Sequence, residues 1–160
     1  MKRIPLTQNE FALVDNEDFK MISKHKWYCV RNKGNNYARR NVGVKPNRSS
    51  IEMHRVVLKC PNGMVIDHIN GNSLDNRKKN LRVCTQAENT RNRIQRRSCK
   101  NKFKGITFHK HSKVWHAQIC INYNNIYLGS FKNQKSAAIA YDAYAKRIHK
   151  QFARTNGILD

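Results

Sequence analysis

Apolar and polar positions divide this chain into short elements separated by turn chemistry. Phe11-Ala12-Leu13-Val14 predicts a strand, and Asp15-Asn16-Glu17-Asp18 supplies a helix cap and an acidic first turn for a short helix to about Lys24. Trp27-Tyr28-Cys29-Val30 and Tyr37-Ala38-Arg39-Arg40 predict two strands joined by Lys33-Gly34-Asn35-Asn36, a turn rich in residues that tolerate positive φ. A loop from Val44 to Ser50 leads into Ile51–Leu58, an apolar run that reads as a strand and contains His54. Met64–Ile69 predicts another strand, followed by an Asn70-Gly71 turn, a polar loop and a short turn at Lys79–Leu81. Thr85-Gln86-Ala87-Glu88 is a capping box, with Thr85 as N-cap of a helix running through Asn89 and Asn92 into Arg93–Arg97.

A polar, basic stretch at 98–102 has no apolar period and marks a boundary. Beyond it Gly105–His109, Val114–Ile121 and Ile126–Phe131 predict three strands. A helix from about Gln134 to His149 follows, with Asn133 as N-cap and Ala137, Ala140, Tyr141, Tyr144 and Ile148 at helical spacing. The expected architecture is α+β in two modules: 1–97, with a core at about 53–92, then a linker at 98–102 and a sheet-plus-helix module at 103–160. A length of 160 residues accommodates two small domains.

Charge changes the picture most. The chain holds 32 Lys+Arg against 10 Asp+Glu, a formal +22 with pI near 10.3, which points to a polyanionic partner. Residues 93–160 alone carry 14 basic and 2 acidic groups. Apolar residues make up 39%, enough for small cores, and a mean hydropathy of −0.82 without any long apolar stretch excludes a membrane-spanning helix. The first residues, Met1-Lys2-Arg3-Ile4-Pro5, lack an apolar run behind the charges, so the expectation is a cytoplasmic protein rather than a secreted one. Five cysteines at wide spacings, with no Cys-x-x-Cys pair, read as reduced thiols rather than zinc ligands or a disulfide frame.

Candidate chemistry concentrates in Asp67-His68-Ile69-Asn70-Gly71-Asn72, Asp75-Asn76, Asn80-Leu81-Arg82 and Glu88-Asn89. Cutting a phosphodiester needs a base for water and a hard cation at the phosphate. Asp67 and Asn89 offer oxygen ligands and His68 offers the base. Adjacent strand residues face opposite ways, so this site requires the strand to end or distort at His68. The competing reading is that these Asn and Asp residues are turn formers and caps. His54, within its apolar run, reads as packed or surface-facing rather than catalytic.

The run from Met53-His54-Arg55 through Asp67-His68-Ile69-Asn70-Gly71-Asn72, Asn80-Leu81 and Glu88-Asn89 resembles the phage-type HNH homing endonucleases, whose core is a ββα-metal finger. The opening residues Ile4-Pro5-Leu6-Thr7-Gln8, Ala12-Leu13-Val14-Asp15 and Lys26-Trp27 are similar to the leader of such enzymes. The resemblance implies a phage or mobile-element nuclease, acting as a monomer on double-stranded DNA in a bacterial host cell. By it Asp67 and Asn89 bind one divalent ion, magnesium or manganese, His68 activates water, and Asn80 braces the loop and the histidine; no catalytic zinc is implied.

Phe103-Lys104-Gly105-Ile106, Trp115-His116-Ala117-Gln118-Ile119, Tyr127-Leu128-Gly129-Ser130-Phe131 and Ala137-Ala138-Ile139-Ala140-Tyr141-Asp142 resemble the DNA-binding domain of plant ethylene-response factors, the Apetala-two type. That resemblance implies a three-stranded sheet entering the major groove. Thr107, His109, Lys110 and Gln118, which stand where plant domains place arginines and tryptophans, are then candidate DNA contacts, and Trp115 reads equally as a DNA contact or as core or sheet packing. Candidate phosphate contacts are Arg55, Arg77, Lys79 and Arg82 in the core and Arg91, Arg93, Arg96, Arg97 and Lys104 after it. Two other functions compete: a DNA-binding regulator with a degenerate nuclease core, and a basic RNA-binding protein.

Overall fold

Inward-facing Ile4, Ala12 and Val14 pair the first two strands, β1 (Lys2–Pro5) and β2 (Phe11–Val14), into an antiparallel hairpin with all three buried. The computed structural model describes residues 1–32, 35–93 and 101–158, which divide into unit 1, residues 1–89, and unit 2, residues 90–160. Helix α1 (Asn16–Ile22) starts after Asp15, but the Asp15 carboxylate does not cap it. It accepts instead from the backbone N–H of Lys78 at 2.8 Å, tying the N-terminus to the later loop.

Strands β3 (Tyr28–Asn32), β4 (Asn35–Val42) and β5 (Ser49–Glu52) form an antiparallel sheet in the order β3-β4-β5. The expected strand over Ile51–Leu58 is corrected: β5 stops at Glu52 and Met53–Val57 is a short helix, α2. Its valines suggest a strand, but Met53, Val56 and Val57 also lie at one-turn spacing. Tertiary packing decides for the helix by placing Met53, fully buried, among Ile4, Val14, Ile22, Trp27 and Ala38, with both valines against that core.

Strand β6 (Val65–His68) pairs antiparallel with β7 (Leu81–Cys84), a strand that the sequence reading passed over as turn and polar loop. Between them runs a loop with a 3-10 turn at Lys78–Asn80, whose backbone joins β2 through Leu13 N–H to Leu74 O and Asn76 N–H to Leu13 O, both 2.8 Å. Helix α3 (Gln86–Arg91) follows; the expected continuation toward Arg97 beyond residue 93 lies outside the described residues. The capping box forms as read: Glu88 N–H donates to Thr85 Oγ1 at 3.2 Å and Thr85 N–H to Glu88 Oε2 at 2.8 Å.

In unit 2, β8 (Ile106–His109), β9 (Val114–Ile121) and β10 (Asn124–Phe131) form an antiparallel sheet with β9 in the centre. Asn122 and Tyr123, at φ 49° and 66°, make the two-residue turn between β9 and β10. Helix α4 (Gln134–His149) begins where Asn133 Oδ1 accepts from Ser136 N–H at 2.8 Å. It packs Ala137, Ala138, Tyr141 and Ala145 against Ile106, Ala117 and Ile119. Ile148 stays 39% exposed, so it does not extend this face as its spacing suggests. Asp142 accepts from the N–H and Nδ2 of Asn156, strapping the tail to the helix. No helix among the described residues is long and apolar enough to cross a membrane.

Candidate active site

Register places the first charges. Glu52 on β5 lies opposite Arg39 on β4, and Arg39 Nη2 donates to Glu52 Oε1 at 2.9 Å. Because the chain turns into α2 at the next residue, Glu52 Oε2 also meets His54 Nε2 at 3.3 Å. The hydrogen bond with His54 and that from Arg39 together hold the Glu52 carboxyl down at about 2. His54, 5% exposed, sets its ring at 90° to that of His68 with centroids 5.2 Å apart, and Tyr37 from β4 lies 6.1 Å from His54 and 6.4 Å from His68. Burial raises the Tyr37 hydroxyl above its ordinary value.

Asp67 and His68 close β6, and both are buried. Their partners differ. Asp67 Oδ2 accepts from Arg82 Nε at 2.8 Å and Nη2 at 2.6 Å, a pairing set by their opposition across β6 and β7. His68 instead meets Asn76, with Nε2 to Oδ1 at 3.4 Å. The strand ends at His68 and turns at once, Gly71 N–H donating to His68 O at 2.8 Å, as the sequence argument required. Burial, then the charge of His54, lowers the His68 pKa to about 4, against opposing contributions from the Asn76 hydrogen bond, Asp67 and Asp75. The imidazole is thus neutral at pH 7, the form a general base needs.

The loop is braced by amides. Asn80 Oδ1 accepts from Asn70 N–H at 3.0 Å and its Nδ2 donates to Asp75 O at 2.8 Å. Asn80 braces the loop, while the side chain that reaches the His68 ring is Asn76. Asp75, 2% exposed, receives Arg77 Nε and Nη2 at 2.7 and 2.6 Å, which lowers its pKa. Asn89 is half-buried on α3, its N–H bonded to Thr85 O at 3.0 Å; among the described residues no hydrogen bond joins it to Asp67.

Sequence reasoning missed Glu52, the contact of Asn76 with His68 and the Arg82 pair, whereas His54 is packed, one of the two placements read for it. Arg82 was legible only as a basic residue, because its tie to Asp67 depends on recognising β7. Asn76 stands in the string already singled out, but nothing local distinguishes it from the neighbouring turn formers.

The basic candidates are placed unequally. Arg55, Lys79, Arg93, Thr107, His109, Lys110 and Gln118 are exposed, whereas Arg77 and Arg82 hold carboxylates and Arg91 is half-buried. Lys104 Nζ donates to Arg91 O at 2.7 Å and Arg93 O at 3.0 Å, and burial lowers its pKa to about 8. Trp115 packs against the core of unit 2, the packing reading that its sequence context offered beside DNA contact, with its ring 5.0 Å from Phe108. Arg96 and Arg97 lie outside the described residues. The face of the β8-β9-β10 sheet opposite α4 carries Thr107, His109, His116, Gln118 and Tyr127, with His109 stacked on His116 at 5.0 Å and 10° and His116 edge-to-face with Tyr127 at 5.4 Å.

The chain is 25% identical over 154 residues to an uncharacterized HNH endonuclease of Acanthamoeba polyphaga mimivirus, covering 92% of this chain and 75% of that relative. The family model for HNH endonucleases matches residues 54–91, the segment that runs from the buried His54 through Asp67, His68, Asn76 and Asn80 to Asn89. That segment is similar to the HNH endonuclease domain.

Proposed function

We propose that the chain is a metal-dependent, homing-type endonuclease that hydrolyses phosphodiester bonds in double-stranded DNA. The observation that carries the reading is a buried His68, neutral at pH 7, at the end of a strand beside Asp67, within the segment matching HNH endonucleases. His68 takes a proton from the attacking water, Asn80 keeps the loop after it closed, and Arg82 orients the Asp67 carboxylate. The donor types suit a hard cation of the magnesium type: Asp67 brings a carboxylate and Asn89 an amide oxygen, and such ions keep most of their shell as water and substrate phosphate. When bound, the cation neutralises charge on the leaving oxygen. The exposed sheet face of unit 2 reads the duplex, a role supported by the sequence resemblance of this unit to Apetala-two-type domains.

The test is conversion of supercoiled plasmid to nicked or linear product with magnesium or manganese. Wild type cuts, excess chelator stops it, and His68→Ala lowers the rate by about 10² to 10⁴ while duplex affinity stays near wild type. Undiminished cutting by His68→Ala, or cutting in excess chelator, overturns the reading. The Arg82 guanidinium on Asp67 favours a second reading, a DNA-binding regulator whose metal position is taken by an arginine. Tight duplex binding without cleavage in either metal selects it.

A further inference from the structure

We propose that Asn76 is a positioning residue that fixes the tautomer of His68, making Nε2 the protonated nitrogen and leaving Nδ1 as the proton acceptor. The inference rests on the reading of His68 as the general base. A neutral imidazole has one N–H and one lone pair, and the partner of one nitrogen decides the role of the other. Asn76 is 1% exposed and held at both ends: its backbone N–H donates to Leu13 O at 2.8 Å and its Nδ2 to Leu74 O at 3.2 Å. The Leu74 carbonyl can only accept, so the amide nitrogen must face it and Oδ1 must face His68. Oδ1 in turn can only accept, so the His68 Nε2 at 3.4 Å carries the hydrogen.

The rest of the pocket restricts the ring. His54, anchored by Glu52, stands at 90° to it, and Tyr37 crowds it from β4. A ring held in this way and bonded at Nε2 keeps the same nitrogen as its proton acceptor on every turnover. Asn80, the amide expected to brace the loop and the histidine, bonds backbone groups at Asn70 and Asp75 among the described residues, so the two asparagines divide the work between ring and loop.

Long-range proton–nitrogen correlation on the metal-free full chain at neutral pH reads the tautomer directly and requires no cleavage. The expected result is a protonated Nε2 and an unprotonated Nδ1 for His68; the reverse assignment overturns the proposal in the wild type alone. In Asn76→Leu the expected result is loss of the Nε2–H preference and a fall of about 10–100-fold in kcat with KM unchanged, the usual weight of a residue supporting a reacting group. An unchanged tautomer in a folded Asn76→Leu overturns it as well. Asn76→Asp keeps an acceptor facing Nε2 and is expected to retain the tautomer; a switch to Nδ1–H in that variant counts against the proposal even where Asn76→Leu does not fold. A wild type with the expected tautomer but no nuclease activity sinks the endonuclease reading and leaves the assignment standing.

Discussion

His68 carries a cost that acid exposes. In the unfolded chain its imidazole takes a proton at its ordinary 6.5, whereas burial in the folded protein holds it near 4. Between those values the unfolded state binds the extra proton, so stability falls as pH drops from about 6.5 to 4, by up to about 3 kcal/mol. Glu52 acts in a lower window: its folded pKa of about 2 lies below its ordinary 4.5, so its contribution is present above 4.5 and is lost as pH falls toward 2. Urea titrations from pH 7 to 4 are expected to show a shallower loss for His68→Gln than for wild type; identical slopes exclude a buried neutral histidine. The Arg82–Asp67 pair predicts a different pattern, because its guanidinium and carboxylate are 13% and 6% exposed. Arg82→Ala leaves Asp67 charged, buried and without that partner, at a cost of about 3 kcal/mol. Replacing both residues with apolar ones of similar size is expected to cost less, measured by the same denaturation. Asp67 and His68 were legible as residues, because a carboxylate beside an imidazole before Asn-Gly is a local pattern. Arg82 as the partner of Asp67 was not, because fourteen residues separate the two.

At the scale of elements, local chemistry was legible where one turn of chain contains the whole interaction. The Thr85–Glu88 box and the Asn133 cap both close within three residues, and both form. Thr85→Ala is expected to cost about 1 kcal/mol and to fray α3, the element that presents Asn89, which chemical denaturation and amide exchange would register. The stretches over Met53–Val57 and Leu81–Cys84 were read wrongly for a shared reason: five apolar-rich residues satisfy a strand or a helix, and four residues with a charge among them satisfy a strand or a loop. Gly105 shows the other side of tertiary control. Its φ is 76°, and a Cβ there would lie 1.9 Å from the Tyr141 ring on α4. Gly105→Ala should cost about 3 kcal/mol through overpacking and a left-handed backbone. Gly157→Ala, at φ 66° with open space around it, should cost only about 1 kcal/mol, and equal thermal shifts for the two would refute the packing argument.

For the whole molecule, composition determined the allocation of charge and points to a polyanionic partner. A formal +22 with 14 basic residues after position 92 was readable before any fold. Its consequence is a salt dependence: Lys110 and Lys113, exposed in the turn between β8 and β9, should each contribute about 0.9 to the slope of log K against log salt if they meet phosphates. Lys110→Gln with Lys113→Gln in the full chain is expected to flatten the slope by about 1.8, and an unchanged slope would remove this turn from the duplex contact. The sequence by itself determined the charge, the small α+β elements, the caps, and the order in which Asp67, His68, Asn80 and Asn89 occur, because each depends on composition or on neighbours within a turn. Tertiary structure alone decided that Met53–Val57 coils, that Lys104 bonds backbone carbonyls, that Arg82 holds Asp67, and that Asn76 faces the His68 ring. Those outcomes depend on which segments pair and on what burial leaves unsatisfied, and a buried polar group takes the partner that the packed chain brings to it.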